Sequence, residues 1–293
     1  MSALWSEQED LREVTSQYMF PRQKSFRQRN LVRDYMVMLI LILGSITMIM
    51  PFIWMISTSL KSGAEILTLP PKWIPSPIRW RNYVDTWTFL PFGRLFINSV
   101  KITALATIGI LFSSSLAAYG FARFRFPGKK LLFLILLGTM MIPMAVTLTP
   151  VFILYRHLGW VDTHYPLIVP AFFGNPFGIF LLRQYFLTIP NELEDAAKID
   201  GASPFLIYWK IFLPLVKPAL ATLGVFSFMW SWNDFIGPII YISSLYKMTV
   251  TAGLSFFVSM YEANFSYLMA GSTIGIIPIL MVYFFAQRYF ISG

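Results

Sequence analysis

Long apolar runs separated by short polar segments set the pattern of this 293-residue chain. Residues 35–60, 131–155 and 263–287 form runs of 26, 25 and 25 positions without Asp, Glu, Lys, Arg or His. A helix crosses ~30 Å of hydrocarbon with about 20 residues, so each run can span a bilayer. Three further runs, 102–122, 165–182 and 218–233, are 21, 18 and 16 residues long. The pattern predicts an all-α polytopic membrane protein with about six transmembrane helices. Their expected positions are near 35–60, 95–122, 131–155, 165–182, 215–235 and 265–287. A tail of residues 1–34 precedes the membrane domain of 35–290, and a polar loop, 183–217, separates the fourth and fifth spans.

Composition agrees with this reading. Hydrophobic residues make up 56% and charged residues 13%, with a mean hydropathy of +0.62, far from the balance of a soluble domain. The net charge of +9 would suit nucleic acid if it were concentrated on one face, but Lys and Arg sit in segments flanking the spans. With the N-terminus inside, the internal segments hold 15 of the 23 basic residues and the external ones 7, with Lys101 in or just before the second span. This bias places both termini and the 183–217 loop in the cytoplasm, and no nucleic-acid partner is expected.

The chemistry excluded is as informative. There is no cysteine, hence no disulfide, zinc-thiolate or thiol chemistry. Residues 1–34 lack the short apolar core of a signal peptide. They offer a possible capping box at Ser6-Glu7-Gln8-Glu9 and a basic set, Arg22, Lys24, Arg27, Arg29 and Arg33, suited to anionic headgroups. No nucleotide-binding loop, H-E-x-x-H or G-x-S-x-G occurs. Gly128-Lys129-Lys130 lacks the earlier glycine a phosphate loop needs, position 123 being Arg. His157 and His164, the only histidines, read as surface residues, so neither a catalytic residue nor a metal site is assigned. Trp73, Trp80 and Trp87 suit an interfacial belt in the Pro-rich stretch 61–94. Lys101 and Asp234 lie near span ends and read as interfacial. Pro143, Pro170 and Pro176 interrupt the third and fourth spans, and freed backbone there must face protein or a water-filled cavity.

The densest punctuation lies in the 183–217 loop. Pro190 fixes φ, and Thr188 or Asn191 can cap a short helix. Glu192, Glu194 and Asp195 fall in its first turns, where the helix dipole favours negative charge, and Glu194 stands four residues before Lys198. Gly201 is placed to end it. Ser203 and Pro204 then begin a second helix over roughly 204–213, and Pro214 breaks it. Ala196 and Ala197 leave a smooth face that fits a groove, with Glu194 and Asp195 offering carboxylates to a basic residue there.

The run Glu194-Asp195-Ala196-Ala197, then Gly201, then Ile211, Leu213 and Pro214, resembles the "EAA" loop of the membrane subunits of binding-protein-dependent ABC importers. That pattern is E-A-A, three residues, G, nine residues, I-x-L-P, and Asp195 stands where the family has Glu. Trp232-Asn233-Asp234-Phe235 with Pro238, Ile142-Pro143 and Gln287-Arg288-Tyr289-Phe290 resemble the carbohydrate-importer permeases, especially the maltose-transporter type. The resemblance implies a cytoplasmic coupling helix in a prokaryotic inner-membrane permease, with Glu194, Asp195, Ala196, Ala197, Gly201, Ile211, Leu213 and Pro214 contacting an ATPase subunit. It implies a second homologous permease, two ATPase subunits and an extracytoplasmic solute-binding protein as partners. ATP and Mg would be held by the ATPase partner, and this chain would bind no cofactor and be no enzyme. Asn175, Trp230, Trp232, Asn233 and Asp234 are candidates for the translocation path. A non-sugar cargo is the first alternative. An ion-coupled carrier or channel is the second, but the spans hold no chain of charged residues for it.

Overall fold

The computed structural model describes residues 31–259 and 264–291, whose regular structure is entirely helical. The capping box and the basic set at 22–29 lie outside the described residues. The chain divides into two compact units, Met1–Phe52 and Ile53–Gly293. The described part of the first belongs to α1 (Leu31–Ser59), an apolar helix with Pro51 inside it. Its hydroxyls serve their own backbone: Ser45 Oγ donates to Leu41 O and Thr47 Oγ1 to Leu43 O, at 2.8 and 2.9 Å. Polar side chains in hydrocarbon need such internal acceptors.

In the second unit, α2 (Gly63–Ile66) and α3 (Arg81–Phe89) fill the stretch after α1, and α4 (Phe92–Arg123) follows as a 32-residue helix. Next come α5 (Lys129–Thr139), α6 (Met144–His157), α7 (Tyr165–Ile168) running into a 3-10 turn (Val169–Phe173), and α8 (Pro176–Thr188). The loop contributes α9 (Asn191–Ile199), α10 (Pro204–Ile207), a π turn (Tyr208–Phe212) and α11 (Leu213–Leu215). The remainder is α12 (Lys217–Trp232), α13 (Ile236–Tyr241), a 3-10 turn (Leu245–Lys247), α14 (Val250–Gly253), α15 (Phe256–Ser259) and α16 (Phe265–Ile291).

Among the described residues, four helices, Arg33–Ser59, Phe92–Arg123, Tyr165–Thr188 and Phe265–Gln287, are long and apolar enough to cross a membrane. Two bent pairs raise the number to six if each is one span. The uncharged run 131–155 is therefore not one straight helix: α5 and α6 meet at 98°. Pro143, in extended conformation at the start of α6, explains the break, because proline has no N–H to donate and biases the residue before it away from helix. Pro204–Leu215 and Lys217–Trp232 likewise meet at 79°, with Pro218 near the start of α12.

Helix α4 is the central element of the second unit, packing on α8, α12, α7 with its 3-10 turn, and α14. Small side chains make this possible. Ser99, Thr103, Ala106, Gly109, Ser114, Ser115 and Ala118 are all buried along it. At Gly109 a Cβ would stand 2.7 Å from the Phe172 ring, so only glycine admits that approach. Two apolar clusters form at opposite ends of α4. One, at the end beside the 183–217 loop, includes Tyr119, Leu182, Phe186, Ile207, Tyr208, Phe212 and Leu223. The other includes Phe92, Leu95, Ile242, Met248 and Phe257.

Candidate functional site

Within the loop, α9 begins after Pro190, whose φ of −56° and ψ of 142° turn the chain sharply out of α8. It carries Glu192 and Glu194 in its first turn and Lys198 in its last. Its end is a Schellman motif: Ala202 N donates to Ala197 O at 2.9 Å and Gly201 N to Lys198 O at 3.0 Å. Gly201 sits at φ +78° with nothing within 4 Å of where a Cβ would be. Its requirement is backbone conformation rather than space. Ser203 then caps α10 by accepting from Leu206 N at 3.3 Å, with Pro204 in its first turn. The second helix does not run evenly into Pro214. It widens into the π turn, where Leu213 N reaches back to Tyr208 O, and this relieves the clash of the Pro214 ring with the preceding turn.

The adjacent carboxylates Glu194 and Asp195 part company. Glu194 is 8% exposed and Ala197 is buried, whereas Asp195 and Ala196 are exposed. Glu194 Oε1 accepts from Lys198 Nζ at 2.8 Å, and its Oε2 lies 3.8 Å from Arg123 Nη1. The hydrogen bond to Glu194, more than any other neighbour, raises the Lys198 ammonium above its ordinary pKa. Asp195 keeps a side chain 69% exposed, with Lys198 at 3.8 Å. Leu193 and Ile199 add apolar surface, Ile199 being 86% exposed. The outward face of α9 is thus a short apolar ridge flanked by the exposed carboxylates of Glu192 and Asp195, while the inward face is bound to the bundle.

That bond is made chiefly by Arg123, the last residue of α4. Its guanidinium donates to Phe186 O and Ile189 O at the end of α8 and to Asn191 Oδ1 at the start of α9, and it stacks over the Phe212 ring at 4.6 Å. One turn earlier on α4, Tyr119 donates to Pro204 O at 3.2 Å and packs among Phe124, Phe186, Tyr208 and Phe212. Ser115 shares a 2.8 Å hydrogen bond with the Tyr208 hydroxyl. Both halves of the loop are keyed to one stretch of α4, 115–123. Ile211 and Leu213 pack against the same cluster, while Pro214 is exposed. Sequence reading missed Arg123 and Tyr119. Arg123 looks like any basic residue flanking a span, and its burial and five partners are tertiary facts.

The candidate path residues separate as well. Trp230 is half exposed and stacks on Phe226 and against Phe177. Asn233 is exposed. Asn175 caps α8, accepting from Gly178 N at 2.9 Å, and Asp234 caps α13, accepting from Gly237 N at 3.0 Å. Trp232 is 3% exposed, donates to Gly275 O at 2.9 Å and stacks on Phe228. It is a packing residue that lines no open surface.

Farther along, Asp162 clasps the segment 241–247. It has φ 60°, unusual for a residue other than glycine. Its N–H donates to Tyr241 O at 2.7 Å. Oδ1 accepts from Ser243 N and Ser244 N, and Oδ2 from Ser244 Oγ and Lys247 Nζ. Lys247, followed by the Ser244 hydroxyl and amide, holds the carboxyl well below the usual carboxylate range. Nearby His164 Nε2 meets Lys247 O at 2.8 Å.

Comparison with known proteins adds to this geometry. Residues 109–293 match the family described as "Binding-protein-dependent transport system inner membrane component". The chain is 34% identical to a probable ABC transporter permease protein of Bacillus subtilis, covering 97% of this chain and 94% of the relative. It is 32% identical to a diacetylchitobiose uptake system permease protein of Streptomyces coelicolor, over 85% and 83% of the two. Among solved structures, a chain of a bacterial ABC transporter involved in import of the acidic polysaccharide alginate superposes with a TM-score of 0.79 at 25% identity. That superposition covers 90% of this chain and 99% of the other.

Proposed function

The chain belongs to the family of inner-membrane components of binding-protein-dependent transport systems, and on that premise we propose how it works. It is a multi-pass membrane permease subunit of an ABC importer and translocates a sugar or oligosaccharide by alternating access. Its partners are an extracytoplasmic binding protein that delivers the cargo, a second, homologous permease, and two ATPase subunits that hold ATP and Mg. Both termini and the 183–217 loop face the cytoplasm, in keeping with the bias of Lys and Arg.

The two-faced helix α9 carries the coupling reading. Outward, Asp195, Ala196, Leu193 and Ile199 offer a ridge that fits an ATPase groove, with Asp195 as the carboxylate for a basic residue there. Inward, Glu194 and Arg123 fasten the same helix to α4 and α8. ATP draws the ATPase subunits together, α9 moves with them, and α4 follows because the loop cannot slip against it. Hydrolysis reverses the motion. Trp230 and Asn233 remain open to a passing solute, with Asn175 and Asp234 shaping the backbone beside them.

The test is uptake into proteoliposomes that hold this chain with its co-purified partners and binding protein, with diacetylchitobiose and alginate oligosaccharides as first cargoes. ATP-dependent accumulation of a sugar is expected. Gly201→Val is expected to insert normally and abolish uptake, because a β-branched residue resists φ > 0 at a point where no side chain could move to help. Wild-type uptake by a well-inserted Gly201→Val would count against the coupling role of the loop.

A further inference from the structure

Between the end of α4 and the start of α5 lies a cleft of about 670 Å³ lined by Phe126, Lys129, Lys130, Leu134, Phe133 and Arg183 among others. Its polar groups are all cationic. Among the described residues, none of Lys129, Lys130 and Arg183 is in an ion pair with a carboxylate. Two of the cations are fixed in place. Arg183 Nε donates to Phe121 O at 3.2 Å while its guanidinium stacks on Phe133 at 4.3 Å. Lys129 Nζ donates to Phe124 O at 2.9 Å. Lys130 is exposed at the rim.

The remaining wall is apolar and continues into α5, whose Leu131, Leu132, Leu134 and Ile135 are each 50% exposed or more. In a protein of the membrane that face meets acyl chains. The cleft therefore joins uncompensated positive charge to a surface already turned towards lipid. A ligand that satisfies both has a phosphate carried on an acyl tail. Free phosphate would match only the cations, and a neutral lipid only the wall.

We propose that this cleft holds the headgroup of an anionic phospholipid, its phosphate among Lys129, Lys130 and Arg183 and its chains along α5. Basic pockets at the ends of transmembrane helices are suited to such headgroups. The bound lipid would fill the angle between α5 and α8 and brace the turn that leads from Arg123 into α5.

The experiment uses the whole complex in nanodiscs of phosphatidylcholine containing a photoactivatable phosphatidylglycerol, with labelled peptides located by mass spectrometry. Label is expected on the segment 126–134 and around Arg183. Removing one charge should lower labelling about fivefold, the worth of one basic residue at an anionic surface. Lys130→Gln is the primary variant, because its exposed side chain is not required for packing. Arg183→Gln is the second, and it also loses the bond to Phe121 O. A photoactivatable phosphatidylcholine should label wild type and variants equally. Four results would overturn the proposal. One is equal labelling of the cleft by the two lipids, and another is an unchanged Lys130→Gln. A third is label that enters the cleft only after the ATPase subunits are stripped, which would assign it to an acidic protein segment. The last is displacement by inorganic phosphate but not by chloride at equal ionic strength, which would make the ligand free phosphate.

Discussion

Arg123 is the one donor that several acceptors at the loop share. It serves two carbonyls at the end of α8, one amide oxygen and the flank of Glu194, with a side chain only 5% exposed. A buried acceptor left unpaired costs about 1–3 kcal/mol, and a buried ion pair broken on one side about 3–5 kcal/mol. The 3.8 Å spacing to Glu194 is loose and Lys198 remains beside that carboxylate, so the lower end applies. Arg123→Gln is expected to destabilise the loop end by about 3 kcal/mol, read as a lower thermal midpoint of the purified complex. Arg123→Lys should recover part of this, since an ammonium keeps the charge but lacks the planar fork. An unchanged midpoint in both variants would show that the guanidinium is incidental. The carboxylates teach a related lesson. Glu194 and Asp195 are equivalent in the sequence, adjacent and of one charge, and both were expected to face outward. Successive residues on a helix point about 100° apart, so a helix lying on a surface must divide such a pair. Which of the two turns inward depended on Arg123, which the sequence offered only as a span-flanking cation.

At the scale of elements, the punctuation of the 183–217 loop was legible because it is local. Pro190, Gly201, Ser203 and Pro204 act on their own neighbours, and the helix, bend and second helix stand where those residues put them. The right-angled meeting of α5 and α6 was less legible. A run of 25 uncharged residues has the length of one span, and Pro143 within it reads equally as a mild kink. The proline marks where the run breaks but not how far it turns, and the corner is 98°. The Asp162 clasp was invisible, because its partners lie about eighty residues away. It also carries a pH dependence. The folded carboxyl has a depressed pKa, so the stabilisation is fully present above the unfolded value near 3.8 and is lost as pH falls through the lower, folded one. Amide hydrogen exchange at Ser243 and Ser244, corrected for intrinsic rates, is expected to stay slow down to about pH 4 and to quicken below it. Asp162→Asn, which tolerates the positive φ but cannot pair with Lys247, should show the faster exchange already at pH 7. Exchange that ignores both pH and the substitution would mean the clasp contributes nothing.

For the second unit as a whole, α4 is the member that both apolar clusters share. Phe92 and Leu95 belong to one, and Ala118 and Tyr119 to the other. It also differs from the other spans in composition: Pro51 and Pro278 lie inside α1 and α16, and Pro143 and Pro218 mark the two corners, but α4 has no proline in 32 residues. The absence of native cysteine allows its stiffness to be measured without background. Spin labels on cysteines introduced at Ile97 and Leu116, both exposed, would stand about 28 Å apart along the axis. That separation is expected to hold within about 2 Å between the ATP-free and ATP-trapped complex, since rigid elements move as units in domain closure. A change of several ångströms would show that the helix flexes. If it does not flex, its length becomes a gear ratio. A helix of about 48 Å turned through about 5° at the Arg123 end sweeps its other tip through roughly 4 Å. The stroke that opens or shuts the far side is then set by how many residues α4 contains, and the engine beneath it need only nudge.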